Sequence, residues 1–341
     1  MPPILIHLPT QAPSHPQQDT GHPLGQIHAL TDLCVFQATG IDAISFLQGQ
    51  ITNDIAGATA AQARLAGYCT AQGRLLATMI LNTPTVSTGQ DPVVLGLIRQ
   101  DLTASVLKRL NMFVLRAKVK LAPSELKVYG VKTTNEQIPG LQKLLGTSLP
   151  TATWETIHSE SGMWICAPSV KGLRWWWVAT ETQLNSHQRL IDACESRPTD
   201  EWNAQDIESG LPWIDSTVQD LFIPQTVNLD LINGVSFTKG CYPGQEIVAR
   251  SHYRGTLKKR MARGHVEGAT ELKPGVDIFD NRQPDQPCGR IINIAHSANV
   301  TSLLFEITFE AMDHNVIRAG SPEGLQIALD TLPYELQPSK S

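Results

Sequence analysis

The sequence predicts a mixed α+β protein that ends in a small all-β part. This prediction depends on three observations. The chain has 341 residues, of which 41% are hydrophobic and 17% charged, enough for two or three domains with substantial cores. Strand-like runs alternate with amphipathic helical segments up to about Gly210. From Gly264 onward, short apolar runs lie between Gly, Pro, Asn and Asp residues, which is typical of a small β-barrel or sandwich.

Strands and helices are predicted from hydrophobic periodicity along the chain. Alternating or β-rich runs predict strands at 33–38, 68–70, 75–81, 93–98, 114–121, 125–131, 163–167 and 174–180, with 71–74 as a hairpin turn. The run 174–180 contains three adjacent tryptophans, which suit the pleat of a sheet. Helical spacing predicts helices at 42–48, 101–111, 139–149, 182–196 and 201–209. The polar tail from Pro333 is expected to fray.

Composition excludes several classes of protein. The low charge and substantial apolar content exclude an intrinsically disordered chain. No run of about 18 uncharged apolar residues is present, so no membrane-spanning helix is expected. Residues 1–26 are rich in Pro, His and Gln and contain no Lys or Arg, unlike a secretory signal or a transit peptide. They are expected to form the flexible leader of a cytoplasmic protein.

The six cysteines are dispersed, and no two of them form a C-x-x-C pair. This spacing argues against a zinc ribbon, a thioredoxin motif or a self-contained iron–sulfur site, and no stably bound metal is predicted. Reduced thiols are expected, most of them buried, with Cys241 as the exception. All seven tryptophans lie between Trp154 and Trp213. Core packing is the first interpretation, and stacking of one or two of them on a ligand ring is the alternative.

The most distinctive stretch of the sequence presents a thiol on a glycine-containing turn, Lys239-Gly240-Cys241. Pro243 and Glu246 then suit the first turn of a helix that continues to about residue 251. A thiol just before a helix N-terminus feels the positive end of the helix dipole, and Lys239 adds a positive charge, so both favour the thiolate. Lys239 and Cys241 are therefore the candidate reactive residues. A buried structural cysteine beside a helix cap is the alternative.

Basic residues are concentrated around this motif. Between Ser236 and Arg263, seven basic residues accompany one acidic residue, a local charge of about +6 in a chain of formal net charge −5. Such a concentration is expected to attract an anionic ligand, although a solvated basic face explains it equally well. A small polyanion fits better than nucleic acid, because the chain is acidic overall and lacks helix-turn-helix, RNP and zinc-finger motifs. The basic residues are Lys239, Arg250, Arg254, Lys258, Lys259, Arg260 and Arg263.

Four sequence blocks, in order, carry a resemblance to a known family. Residues 239–250, K-G-C-Y-P-G-Q-E-I-V-A-R, resemble the signature of the YgfZ family. This family comprises folate-binding proteins related to the glycine-cleavage T-protein and implicated in iron–sulfur protein maturation. Residues 40–54, 208–212 and 222–229 resemble the family's N-terminal and central blocks. Four blocks in the right order are more specific than any short motif alone.

The resemblance implies a three-part cloverleaf around a channel that holds tetrahydrofolate or one of its one-carbon derivatives. Residues 27–255 would form two interleaved α+β folate-binding domains, and residues 256–336 a C-terminal β-barrel. Residues 1–26 and 337–341 would be the leader and the tail.

The resemblance also indicates cofactor-binding residues. Glu208 matches the carboxylate that binds the pterin in T-proteins, and a carboxylate can accept two N–H bonds from the amino-pyrimidine edge. Arg250 and Arg254 are expected to pair with the glutamate carboxylates of folate. Gln50 and Asn53 are expected to line the channel, with a helix-end cap as the alternative. The remaining candidates lie in the thiol motif: Tyr242, Gln245 and Glu246.

The sequence departs from its relatives at three places. The hairpin aspartate that supports aminomethyl transfer in T-proteins has no counterpart in residues 73–78, so that reaction lacks its polar partner. Gln72 stands where the family usually has lysine, and Asp206 stands where relatives often carry arginine. The first departure weakens the enzyme hypothesis most.

The leading hypothesis is a tetrahydrofolate-binding accessory protein that supports iron–sulfur cluster assembly or repair in client enzymes through Cys241. Because clusters typically need four protein ligands, a single thiol would share any cluster with a partner. The first alternative is a folate-dependent aminomethyltransferase or methyltransferase. The second is an RNA-binding factor in tRNA modification, although direct nucleic-acid binding is not expected.

Overall fold

The computed structural model of the chain describes residues 22–253, 257–268, 270–297, 299–313 and 316–336. Its strands form two open sheets and a closed barrel, which confirms the expected α+β fold with a C-terminal barrel. Residues 1–21 of the expected leader and the expected tail 337–341 lie outside the described residues. Leu24 already donates its N–H to the carbonyl O of Ala193, and the first strand begins at Gln26.

The helices and strands are numbered in chain order. The first group is β1 (Gln26–Ala29), β2 (Leu33–Thr39), α1 (Ala43–Gln48), β3 (Arg64–Cys69), β4 (Leu75–Asn82), β5 (Val93–Arg99), α2 (Gln100–Met112), β6 (Lys120–Pro123) and β7 (Lys127–Thr133). The second is α3 (Ile138–Leu145), β8 (Thr156–Ser159), β9 (Gly162–Cys166), β10 (Leu173–Ala179), α4 (Glu181–Ser186), α5 (Gln188–Asp192), β11 (Glu195–Ser196), α6 (Thr199–Glu208) and a 3₁₀ helix (Pro224–Val227). The third is α7 (Gln245–Tyr253), β12 (Lys259–Glu267), β13 (Asp277–Asp280), β14 (Pro287–His296), β15 (Val300–Thr308), α8 (Phe309–Met312), β16 (Ile317–Ala319) and β17 (Leu325–Asp330).

The first sheet has the strand order β3-β4-β5-β2-β6 and is antiparallel throughout. The predicted hairpin between β3 and β4 is confirmed. Every residue of β4 is buried, because both faces of this strand are covered. Helix α2 packs on the sheet through Leu102, Val106 and Leu110, which recur every four residues on one helix face.

The second sheet has the order β11-β1-β7-β10-β9-β8 and explains most of the tryptophans. Successive side chains of a strand point to opposite faces, so Trp175 and Trp177 of β10 pack into one core and Trp176 into the other, beside Trp202. Six of the seven tryptophans are buried, as core packing predicts. Trp154 is only partly buried.

The C-terminal strands close into a barrel with the order β12-β15-β14-β13-β16-β17, which settles the choice between barrel and sandwich. The barrel begins at Lys259, five residues before the change in sequence texture at Gly264. Asn293 attaches the barrel to the rest of the chain. Its amide accepts a hydrogen bond from the N–H of Trp213 at 2.9 Å and donates one to the carbonyl O of the same residue at 2.6 Å.

Some predicted elements are wrong. Residues 182–196 do not form one helix, because Glu195 pairs with Gln26 in a parallel strand contact after two short helices. Residues 114–119 are not a strand, because within the predicted run 114–121 pairing with β2 begins only at Lys120. No helix in the described part of the chain is long and apolar enough to span a membrane.

Candidate functional site

A cavity of about 380 Å³ lies where loops of the second sheet, the end of α6 and the segment that follows β17 come together. We call it the central cavity. Its size is in the range of small-molecule sites. Five separate stretches of the chain contribute to it, and most of its walls are apolar. The lining residues are Thr153, Trp154, Pro168, Ser169, Val170, Ser209, Leu211, Ile232, Asn233, Pro333 and Tyr334.

Trp154 forms an aromatic wall of the central cavity. Its ring stacks on Trp176, with centroids 5.9 Å apart and an interplanar angle of 15°. Its backbone has a φ of 70°, a conformation that is rare for bulky residues and costs about 1–3 kcal/mol. The strain is held by two backbone hydrogen bonds of 2.8 Å, one to Cys166 and one from Ala63. The surrounding structure therefore fixes the position of this indole, which lines the cavity.

Asn53 holds the wall of the cavity that is nearest the first sheet. Its amide nitrogen donates to the carbonyl O of Leu65 and to that of Asn233, each at 2.7 Å, and its amide oxygen accepts the N–H of Asp54 at 2.8 Å. Asn233 lines the cavity and has a φ of 59°, which asparagine tolerates. Both polar atoms of Asn53 are thus occupied by the backbone, and Asn233 is the residue that meets the cavity.

Tyr334 closes the cavity from the C-terminal side. Its hydroxyl donates to the carbonyl O of Gly210 at 2.9 Å, and burial raises the pKa of the phenol above its ordinary value. Gly210 has a φ of +64°, and a Cβ there would lie 2.7 Å from the Tyr334 ring. The expectation that the chain frays from Pro333 is therefore wrong, because residues 333–336 pack against the fold.

Glu208 lies beside the central cavity and lines a separate cavity of about 240 Å³ together with Gln205 and Arg263. Its carbonyl O accepts a hydrogen bond of 3.3 Å from the Arg263 guanidinium. The Oε1 atom of Gln205 and the Nε atom of Arg263 are buried and have no partner in the described structure. Unpaired buried polar atoms are costly, so both atoms stand out among the side chains around Glu208.

Lys239 connects the thiol motif to α1. Its ammonium donates to the carbonyl O of Gln48 and to that of Ile51, the latter at 2.6 Å, and lies 4.9 Å from the centre of the Tyr242 ring. Burial lowers the pKa of Lys239 to about 8, although Asp54 and Cys241 act in the opposite direction. Tyr242 is buried, and its burial raises its pKa.

Cys241 is exposed, whereas Cys69 and Cys166 are buried and Cys34, Cys194 and Cys288 are partly buried. Burial raises the pKa of the Cys69 and Cys166 thiols to about 12 and that of Cys194 and Cys288 to about 11. Helix α7 begins at Gln245 rather than near Pro243, so Cys241 lies four residues before the first helical residue. The dipole effect falls off within the first turn, which leaves Lys239 as the main positive charge near the thiol.

Three of the seven cations in the predicted anion-attracting segment form ion pairs. Arg250 pairs with Glu246 at 2.8 Å on the exposed surface of α7. The segment's other two ion pairs join Arg260 to Asp230 at 2.6 Å in a buried setting and Lys259 to Glu306 at 3.2 Å. Arg254 lies outside the described residues.

The folate-contact candidates do not themselves line the central cavity. Asn53 donates a hydrogen bond to Asn233, which lines the cavity, and Glu208 directly precedes Ser209, which also lines it. Gln50 has a buried Oε1 without a partner. Gln245, Glu246 and Arg250 lie on α7, and Tyr242 packs beside Lys239. Sequence analysis did not name Ser209, Asn233 or Tyr334 as site residues. The block at 208–212, which contains Ser209 and Leu211, and the alternative that one or two tryptophans stack on a ligand were the signals that pointed toward the site.

Asp206, one of the departures from the family pattern, belongs to the core. Its carboxylate pairs with Arg174 at 2.6 Å and accepts the Trp213 indole N–H at 2.9 Å. The Arg174 guanidinium also lies 4.6 Å from the centre of the Trp202 ring. In the described part of the chain, no group of three or more His, Cys, Asp or Glu residues is placed to hold a metal ion.

No protein-family model matches the sequence. Among solved structures, the glycine cleavage system aminomethyltransferase T from Bartonella henselae is similar over 94% of this chain and 89% of its own, with a TM-score of 0.67 and 10% sequence identity. The two chains therefore share a fold. A heterotetrameric sarcosine oxidase chain from Corynebacterium sp. U-96 matches 49% of this chain and 82% of its own at 13% identity and a TM-score of 0.30. The regulatory subunit of aspartate kinase from Thermus thermophilus matches 50% of this chain and 97% of its own at 10% identity and a TM-score of 0.25. These last two likenesses are too weak to support an inference.

Proposed function

We propose that the chain binds tetrahydrofolate, or a one-carbon derivative of it, in the central cavity. The observation that carries this proposal is the indole wall of Trp154, held on Trp176 in a fold shared with aminomethyltransferase T. A pterin is a flat ring system with hydrogen-bonding groups along one edge. Aromatic stacking contributes about 0.5–1.5 kcal/mol beyond the burial of area.

The side chains around the cavity fit such a ligand. Val170, Leu211 and Ile232 supply apolar walls, and Ser209 and Asn233 supply a hydroxyl and an amide. We assign the amino-pyrimidine edge to the Glu208 carboxylate, because the family resemblance matches it to the pterin-binding carboxylate and Glu208 directly precedes Ser209 of the cavity wall. Bound tetrahydrofolate would supply nitrogen atoms that can carry a one-carbon unit.

We further propose that the protein supports assembly or repair of iron–sulfur clusters in client proteins through Cys241. Two features support this role: the thiol is exposed, and the charge of Lys239 raises the local potential beside it. One thiolate supplies one of the four ligands that a cluster needs. The client or an assembly protein would supply the others.

Anaerobic titration with tetrahydrofolate, followed by calorimetry and tryptophan fluorescence, tests the binding proposal. Saturable heat is expected for the wild type, and Trp154→Ala should weaken binding about tenfold through loss of stacking. Trp164→Phe is the matched control, because Trp164 is buried against Trp177 and lies outside the cavity. Absence of saturable heat with the wild type would refute the proposal.

The thiol proposal is tested separately in a strain that lacks the gene. Cys241→Ser should fail to restore the activity of iron–sulfur enzymes, whereas Cys34→Ser, which alters a partly buried thiol, should restore it. Full restoration by Cys241→Ser would show that the thiol is dispensable.

The shared fold favours one second candidate, an aminomethyltransferase. Against it, residues 73–78 carry no carboxylate, and the Thr78 hydroxyl in this stretch is occupied by the N–H of Ile214 at 3.0 Å. Glycine-cleavage turnover with a lipoylated carrier protein separates the two candidates. Robust turnover would replace the accessory role with the enzymatic one.

A further inference from the structure

A second basic segment, separate from the thiol motif, surrounds exposed apolar side chains at the C-terminal end of α2. The exposed fractions are 60% for Ile41, 68% for Met112, 46% for Phe113 and 86% for Leu115. The described residues include seven large apolar side chains that are at least 46% exposed, and three of them fall within four consecutive positions here. Contiguous exposed apolar side chains with a polar rim mark interaction sites.

Two hydrogen bonds tie the segment that contains Ile41 to the segment that follows Leu115. The N–H of Asp42 donates to the carbonyl O of Lys118 at 3.3 Å, and the N–H of Lys118 donates to the Asp42 carboxylate at 2.7 Å. These bonds place Ile41 beside the stretch that contains Leu115. We call the four exposed apolar side chains and the cations around them the α2-end surface.

The rim of this surface is predominantly basic, although the Asp42 carboxylate also lies on it, bonded to the N–H of Lys118. Residues 108–120 contain five basic residues and no acidic residue. All five are exposed, and none takes part in a salt bridge with any residue that the structure describes. The thiol segment, by contrast, has three of its cations paired. The rim residues are Lys108, Arg109, Arg116, Lys118 and Lys120.

We infer that the α2-end surface docks an acidic protein through an apolar centre and a ring of complementary charges. Interfaces combine an apolar core, in which Met and aromatic residues are enriched, with a polar rim. Arg109 interacts with the Tyr68 hydroxyl; the other four cations form no ion pair with a described residue and provide that arrangement for a partner of opposite charge. The chain as a whole has a net charge of −5, so the cationic surface stands out against its surroundings.

The same residues fit other macromolecules less well. Single-stranded RNA binds through stacking on aromatic faces, and Phe113 is the one aromatic ring among the four apolar side chains. A membrane-surface helix lays a whole apolar face on lipid. The apolar face of α2 is instead buried against the first sheet, including Leu102, Val106 and Leu110.

The α2-end surface and Lys239 of the thiol motif lie at opposite ends of α1. Ile41 and Asp42 precede α1, whereas Lys239 binds the carbonyl O of Gln48 at the end of this helix. Six helical residues rise about 9 Å. A partner on the α2-end surface therefore lies one length of α1 from Lys239, a relation that matters for function only if Cys241 has the proposed role.

The docking itself is tested on the full chain without folate or clusters. Three fluorescent probes of equal length are titrated and read by anisotropy: a peptide alternating Glu and Leu, a peptide alternating Glu and Ser, and single-stranded RNA. The Glu-Leu peptide should bind at least tenfold more tightly than the other two and weaken as salt rises. The double variant Met112→Ser, Leu115→Ser should weaken it about tenfold. Leu144→Ser, which alters an exposed leucine on α3, should leave it unchanged.

Several outcomes would overturn the inference. Equal affinity for both peptides would show charge attraction alone, and tighter binding of RNA would assign the surface to nucleic acid. Self-association that the double variant abolishes would assign it to a second copy of the chain. Failure of the Glu-Leu peptide to bind, while tetrahydrofolate still binds, would remove the docking surface and leave the proposed function intact.

Discussion

The hydroxyl of Tyr334 donates a hydrogen bond of 2.9 Å to the carbonyl O of Gly210 and so joins the segment that leaves the barrel to the end of α6. The ring lies where a Cβ of residue 210 would stand. The glycine of the block at 208–212 therefore meets two requirements at once, a positive φ and space for an aromatic ring.

Gly210→Ala should lower the free energy of unfolding by about 3 kcal/mol, because it adds backbone strain and a clash with Tyr334. Gly146→Ala is the matched control. Gly146 has a φ of +67° but nothing within 4 Å of its Cβ position, so about 1 kcal/mol of strain alone is expected. Urea unfolding measures both. Equal losses would show that the Tyr334 contact contributes nothing.

Asp206→Asn should lower the free energy of unfolding by about 3–5 kcal/mol, because it leaves the buried Arg174 guanidinium without a counter-charge. Glu246→Gln, which breaks the exposed pair with Arg250, should cost less than about 1 kcal/mol. The double variant Arg174→Met, Asp206→Leu should lose less than Asp206→Asn alone. If Asp206→Asn costs no more than Glu246→Gln, the buried pair is not stabilising the core.

Iodoacetamide should modify Cys241 first in the folded protein. Cys241 is exposed, whereas a pKa of about 12 leaves the Cys69 and Cys166 thiols less than about 10⁻⁴ ionised near neutral pH. Mass spectrometry of tryptic peptides after timed quenching gives the order of reaction. Modification of Cys69 in the folded chain at a rate similar to that of Cys241 would contradict the described burial.

The stability contribution of Lys239 should depend on pH. Its pKa is about 8 in the folded chain against an ordinary value of 10.5, so the unfolded state binds more protons between these values. Stability therefore rises with pH across this interval. Urea unfolding of the wild type and Lys239→Met should show the wild type gaining relative to the variant between about pH 7.5 and 10. A constant difference would place the folded pKa of Lys239 near its ordinary value.

Local sequence patterns were sufficient for most of the elements. The hairpin at 71–74 and helix α2 follow from turn residues and periodicity, which act between neighbours along the chain. The three adjacent tryptophans predicted a strand, and their alternation between two cores follows from the geometry of a strand. The distribution of cysteines also indicated Cys241 as the thiol set apart, and it is the exposed one.

The residues of the candidate site were harder to predict from the sequence. The central cavity is assembled from stretches between Thr153 and Tyr334, and no short-range pattern marks Ser209 or Asn233 as neighbours of Trp154. The prediction of one helix over residues 182–196 failed for the same reason, because the structure there depends on a contact between residues far apart in the sequence. Glu195 leaves the helical pattern because Gln26, far away in sequence, offers a strand to pair with.

The charged residues show most clearly what the sequence determines and what only the tertiary structure decides. The sequence by itself determined that basic residues concentrate at 236–263 and predicted that a small all-β part, a barrel or a sandwich, follows. Only the tertiary structure decided which charges remain available. Asp230 forms an ion pair with Arg260, and Glu306 forms one with Lys259. Arg174 forms an ion pair with Asp206. The cations around Leu115, by contrast, form no ion pair with any residue that the structure describes. The reason is physical: an ion pair depends on distance in space, and residues separated by tens of positions come within hydrogen-bonding distance only when the sheets and the barrel pack.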